Sequence, residues 1–287
     1  MQALFGQLLV GLINGSFYAL LSLGLAIIFG LLNVVNFSHG ALYMTGAFVA
    51  WMGLQSLGVP YWGALLLSPI AVGLLGVAIE RTMLRRLYQL DHLYGLLLTF
   101  GLTLIIEGLF HHQFGNSGSS YPVPEILQGG SNLGFMFLPR YRAWVVVVSV
   151  AVCLASWFVI ERTRLGSYLR AGTENPRLLQ SFGVNVPMML TLTYGFGVAL
   201  AGFAGVMAAP IYQVSPAMGS NLIIVVFAVV VIGGMGSIFG SIVTGLGLGL
   251  VEGLTKYLYP PAASTVVFII MAVVLLVRPA GLFGRQK

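Results

Sequence analysis

GLINGSFYALLSLGLAIIFGLLNVVNFSHGALYMTGAF, residues 11–48, contains no Asp, Glu, Lys or Arg, and the same is true of every position from Met1 to Ile79. A second charge-free block runs from Leu178 to Val251. A helix needs about 20 mainly apolar residues to cross a bilayer, so each block has room for roughly three crossings. Strands of an outer-membrane barrel alternate polar and apolar over about 10 residues. Neither LLSLGLAIIFGLL (20–32) nor VVFIIMAVVLLV (266–277) alternates. Because backbone groups in hydrocarbon must be paired within their own segment, continuous apolar runs mean helices. The expected fold is all-α, a polytopic bundle of membrane-spanning helices.

Composition excludes a water-soluble fold. The 287 residues are 58% hydrophobic and 7% charged, against about 25% charged in an ordinary soluble domain, and mean hydropathy is +0.98. The single cysteine, Cys153, sits in an apolar run, which rules out an intrachain disulfide. The opening MQALFGQLLVGLING lacks the basic stretch that starts a cleaved signal peptide, so the first segment reads as a retained span.

Nine apolar segments are expected to span, at 4–29, 40–58, 61–79, 93–114, 143–160, 187–209, 222–239, 241–258 and 262–278. GGMGSIFG (233–240) reads either as a tight turn or as a break inside one element, giving eight or nine spans. Short cytosolic loops collect Lys and Arg. Placing the 80–92 loop, the 161–186 loop and the C-terminus in the cytosol gathers Arg81, Arg85, Arg86, Arg162, Arg164, Arg170, Arg177, Arg278, Arg285 and Lys287, ten of the 13 basic residues. Only Arg140, Arg142 and Lys256 fall outside, and nine spans then put the N-terminus outside. The net charge of +6 is this bias and calls for no nucleic-acid partner. The chain reads as one transmembrane domain, 1–287, with a long external loop at 115–142 and no soluble domain. Within that loop ILQGGSNLGFMF suits a small hairpin or a cap over the membrane face. Small residues four apart, Gly236, Gly240 and Thr244 and then Gly245, Gly249 and Gly253, make flat stripes for close helix packing, within the chain or between copies.

ATP hydrolysis is outside this chain's chemistry. A phosphate-binding loop needs Gly-Lys-Ser/Thr, and the two lysines, Lys256 and Lys287, follow Thr255 and Gln286. No HExxH, CxxC or GxSxG occurs, which leaves metalloprotease, structural-metal and hydrolase readings unsupported.

Three polar features remain. In RAGTENPRLLQSFGVNV (170–186), Asn175 suits an N-cap, Pro176 the first helical position and Gly183 the position after the end. This predicts a helix over 176–182 with Leu178, Leu179 and Phe182 on one side and Arg177 and Gln180 more polar. A helix that short is marginal alone in water, so it is held either in a groove of a partner or against the membrane and bundle. In NVVNFSHG (33–40), Asn33, Asn36, Ser38 and His39 supply four hydrogen-bonding side chains where a plain turn needs one or two. Polar groups at membrane depth belong inside protein or along a wet cavity, so the stretch is a polar turn or part of a path. Glu107 and His111, and Glu252 and Lys256, stand at i and i+4 and are expected to pair on their helices. Zinc binding by His111 and His112 is disfavoured, because adjacent helical residues point about 100° apart.

These segments carry a resemblance. The chain resembles the LivH-type permease of branched-chain amino acid ABC transporters over its whole length, in residues 11–48 with NFSHG (36–40) at their centre, in the 170–186 loop, and in VVVIGGMGSIFGSIVTG (229–245). The resemblance implies a permease subunit of a binding-protein-dependent importer in a bacterial or archaeal cytoplasmic membrane. Its partners would be a LivM-like second permease, two ABC ATPase subunits and a periplasmic substrate-binding protein. ATP and Mg would then be bound by the ATPases, with no cofactor in this chain. It implies that Thr173, Glu174, Asn175, Pro176, Arg177, Leu178, Leu179, Phe182 and Gly183 form the coupling segment to the ATPase, and that Asn33, Asn36, Ser38, His39 and Gly40 lie near the translocation path. Similar permeases move urea, amides or aromatic compounds, so the resemblance fixes the cargo only as a small solute, branched-chain amino acids first. The competing reading is a carrier or channel working alone with Glu107 and Glu252 as coupling groups, which lie near span ends rather than the midplane where such groups are needed. A membrane enzyme lacks a catalytic constellation.

Overall fold

The computed structural model describes residues 2–32, 34–88, 90–132, 134 and 136–284. Eleven α-helices follow one another: α1 (Gln2–Leu32), α2 (His39–Leu57), α3 (Tyr61–Thr82), α4 (His92–Phe114), α5 (Arg140–Arg162), α6 (Arg164–Glu174), α7 (Pro176–Ser181), α8 (Val186–Ala208), α9 (Ser220–Gly233), α10 (Ile238–Leu258) and α11 (Val266–Val277). Every apolar segment expected to span contains an α-helix. Six helices, α1, α3, α4, α5, α8 and α10, are long and apolar enough to cross a membrane by themselves. The 14 residues of α9 and the 12 of α11 make helices of about 21 and 18 Å, short of the roughly 30 Å hydrocarbon core. The seventh segment ends at Gly233 rather than at 239, because Gly234 and Gly236 take positive φ (100° and 87°) and turn the chain between α9 and α10. GGMGSIFG is therefore a turn joining two helices.

α1 is the centre of the bundle. Its most apolar stretch is 83% buried, against 11% for α4, whose side chains face outward. The glycine stripes explain how α10 lies against α1: a Cβ on Gly11 or Gly249 would run into the backbone of the other helix, and Gly15 and Gly245 meet the facing chain in the same way. Both stripes are used within the chain, Gly236 against Gly30 and Gly240 against Gly233. Such contacts replace the hydrophobic effect, which gives no drive between helices in lipid.

Antiparallel neighbours sort the ends into two faces. Gly30 meets Gly236, Glu80 meets Thr191, and the tail bonds back to α9 through Leu282 N–H to Ile232 O (2.8 Å). The ends of α1 and α3, the starts of α8 and α10, and residues 278–284 therefore share one face, which also holds Arg81, Arg85, Arg86 and Arg278; Arg162 lies over the Trp157 ring there, and that ring meets Phe239. On the opposite face Tyr61, Tyr141 and Trp144 cluster, with Tyr141 donating to Met207 O at 2.8 Å. Amphipathic rings collect at a membrane interface, and this group marks one. In the 115–142 loop the expected hairpin forms from β1 (Gly130–Asn132) and β2 (Phe137–Pro139), antiparallel.

Candidate functional site

The first polar feature is an elbow on the basic face. α5 gives way at Thr163 to α6, a helix the sequence reading did not anticipate, which buries Gly166, Leu169 and Gly172 and exposes Leu165 and Tyr168. Arg170 and Glu161, both largely exposed, pair at 3.2 Å across the bend. Thr173 donates to Arg170 O, and Glu174 closes α6. α7 follows at once. Asn175 Oδ1 accepts from Leu178 N–H (3.1 Å), Pro176 opens the helix, and Gly183 leaves it with φ of 82°. The caps are as expected, with Phe182 as the capping residue rather than the last helical one. The expected apolar side is different: Leu179 is buried against Gly172, whereas Leu178 (55% exposed) and Phe182 (75%) point away from the bundle together with Arg177. Leu179 stands about 100° round the helix from Leu178, so Leu179 becomes the anchor on the bundle side and Leu178 and Phe182 the tip.

The second feature returns into the bundle. His39 Nε2 donates to Leu21 O at 3.1 Å, and Leu21 lies about 16 Å back from the end of α1. Residues 34–38 thus run inward from the basic face instead of turning on it. Ser38 donates to Asn36 Oδ1 (2.6 Å), and Phe37 N–H donates to Thr99 Oγ1 (3.1 Å). The Phe37 ring packs on Phe227, and Gly40 abuts Gly219. Asn36, Ser38 and His39 are fully buried; Asn33 lies outside the described residues. Asn36 Nδ2, His39 Nδ1 and the Tyr194 hydroxyl have no hydrogen-bond partner among the described residues.

Beside this segment sits Glu80, 1% exposed, which accepts from Thr191 (2.6 Å) and Tyr88 (3.0 Å). Burial and the Glu80 carboxylate push the Tyr88 hydroxyl well above its usual range, so it stays a donor. The sequence reading missed this carboxylate; its signal was that the first charge after Ile79 falls inside the last turn of α3 rather than after it.

The third feature lies toward the hairpin face. Residues 209–219 leave α8 and turn back into the bundle, tied by Val214 to Ser119 of the long loop through two backbone bonds (2.8 and 2.9 Å). They wall a chamber of about 300 Å³ whose polar lining includes Asn14, Tyr18, Tyr43, Tyr212, Gln213 and Asn221. Tyr212 donates to Asn14 Oδ1, and Tyr18 to Glu252 Oε2, each at 2.7 Å. Glu252 is thus held by a tyrosine of α1, not by Lys256, with which it forms no ion pair. Glu107 likewise does not pair with His111: it accepts from Ser220 at the start of α9 (2.7 Å), while His111 bonds Asn116. In both cases a partner from a distant element is closer than the one on the same helix. Gly40 abuts Gly219, the neighbour of Met218 in the chamber wall; Asn36, Ser38, His39 and Gly40 are not themselves among its walls.

Re-entrant backbone beside a polar chamber, inside a bundle of apolar helices, defines a multi-pass membrane transport protein. A family model described as "Branched-chain amino acid transport system / permease component" matches residues 7–277, and the chain belongs to that family. The high-affinity branched-chain amino acid transport system permease protein BraD of Pseudomonas aeruginosa is 30% identical, the alignment covering 98% of this chain and 96% of BraD. LivH of Escherichia coli K12, of the same description, is also 30% identical over 98% and 96%. A probable LivH of Methanocaldococcus jannaschii is 27% identical over 95% and 90%.

Proposed function

We propose that this chain is the permease subunit of a binding-protein-dependent importer for branched-chain amino acids or closely related small solutes, driven by separate ATPase subunits that dock on α7. The observation that carries the reading is the tip of α7. Leu178 and Phe182 stand exposed on a helix whose length is fixed by Asn175 and Gly183 and whose root is held by Leu179. Two apolar side chains on a rigid, water-facing prong are what a partner groove covers. Motion of α7 passes to α8 by way of α6, since Leu179 and Met189 both pack on Gly172. The face rich in arginine is then cytosolic, with the C-terminus on it and the hairpin outside. ATP and Mg are held by two ATPase subunits, a LivM-like permease completes the membrane part, and a periplasmic binding protein delivers cargo to the hairpin face. The cargo assignment rests on the names of the relatives.

The test is co-expression of the tagged chain with candidate ATPase, second-permease and binding-protein subunits from the same genome. The ATPases are expected to co-purify, and vesicles carrying the assembly to accumulate leucine only with ATP supplied on the cytosolic side. Leucine uptake by the chain alone, without any ATPase, refutes the importer reading.

A further inference from the structure

The chamber between α1, α2 and the 209–219 loop has a chemistry that selects among solutes. Tyr43 is 1% exposed, lines the chamber, and its hydroxyl makes no hydrogen bond to any described residue. A buried hydroxyl without a partner usually has one that is absent from the chain itself, a water or a ligand. Around it, Gln213 and Asn221, both exposed at the mouth, bring amide groups to the lining, and Phe17, Met218 and Leu222 provide an apolar side.

Charge decides what kind of head group fits. Among the described residues no Lys or Arg lines the chamber. The Glu252 carboxylate lies behind the wall, where Tyr18 donates to its Oε2 and leaves its own oxygen free to accept; Arg142 is the cation near Tyr212 on the far side, and its influence there is smaller than that of Glu252. Three amides at the start of α9 are already taken. Asn221 N–H is bonded to Ala217 O (3.2 Å), and Leu222 and Ile223 N–H to Gly219 O (3.1 Å each), so the amides that usually receive a negative ligand at a helix N-terminus are taken.

We infer that this chamber holds the imported solute on its way in, and that it selects a small solute whose head carries N–H donors, an ammonium or an amide, over an apolar body, against a solute that is only an anion. This rests on the importer reading and adds the place and the head-group preference. The ammonium sits against Tyr18 with Glu252 behind it, Tyr43 and the two amides complete its shell, and the apolar body lies on Phe17, Met218 and Leu222.

Two measurements on the complete assembly test this. In right-side-out vesicles, Asn221→Cys in a Cys153→Ser background is expected to react with a cationic impermeant thiol reagent at least tenfold faster than with an anionic one, each rate taken relative to free cysteine. Glu252→Gln should remove most of that preference, and saturating leucine should slow labelling at least fivefold. In uptake, Tyr43→Phe and Asn221→Leu should each lower leucine transport at least fivefold with the ATPases still co-purifying, and 4-methylpentanoate, which is leucine without its amine, should not compete. Equal or reversed labelling rates, absence of labelling, or wild-type uptake in both variants overturns the inference. If the wild-type assembly imports no leucine, the proposed function fails instead, and the labelling ratio still judges the chamber.

Discussion

The segments 34–40 and 175–183 interrupt the apolar pattern in similar ways, with asparagine, glycine and few charges, and the fold treats them oppositely. The first buries every polar side chain described in it: Asn36, Ser38 and His39 are all inaccessible, bonded to each other and to Leu21. The second does the reverse and holds Leu178 and Phe182 out from the bundle. In a soluble protein polar groups inside and apolar groups outside would both count as faults. Here a buried polar segment holds a non-helical backbone inside the bundle, where only internal partners can satisfy it, while the exposed apolar tip of α7 is the surface proposed above to meet the ATPase.

That contrast can be broken at either end. The largest effect is expected from Phe182→Glu, which places an uncompensated charge inside the proposed contact at a cost of about 3–5 kcal/mol; ATPase affinity, measured by co-purification and titration, should fall at least a hundredfold with the permease still in the membrane. Unchanged affinity together with normal uptake would return α7 to a surface helix. Next is Asn36→Leu, which strips Ser38 of its acceptor and leaves a buried hydroxyl unpaired, about 1–3 kcal/mol. Uptake should drop about tenfold with assembly intact, whereas normal transport would reduce the segment to a plain turn. Gly183→Ala forces a side chain into the left-handed region at roughly 1–2 kcal/mol, and should weaken ATPase binding several-fold without adding charge. Arg177→Ala, at the exposed rim, should change it by less than about 1 kcal/mol; a loss as large as that of Phe182→Glu would move the centre of the contact to the arginine.

Much of this was legible without coordinates because the rules involved are local. Bilayer length and the ban on unpaired backbone found all nine apolar helices, and Asn175, Pro176 and Gly183 located α7, because a cap is read from its own neighbours. What stayed hidden depends on partners far along the chain. Glu107 and Glu252 had tempting neighbours four residues away, yet they bond Ser220 and Tyr18, 113 and 234 residues distant. The inward turn of 209–219 was invisible for another reason. Hydropathy reports how apolar a segment is but not its depth, and YQVSP (212–216) carries no charge to betray it. The chamber, built from α1, α2, that loop and the start of α9, could not be assembled from any one of them.

The contact of α1 with α10 also has a consequence for how the protein is made. Tyr18 and Glu252 are 234 residues apart, and a ribosome adds roughly 5–20 residues per second. The first span therefore lies in the membrane for about 10 to 50 seconds before the helix that fits its glycine ridge emerges. During that interval the ridge at Gly11 and Gly15 is open to any other helix with small residues. The helix at the centre of the finished protein is inserted long before it is enclosed, so errors in biogenesis should concentrate there.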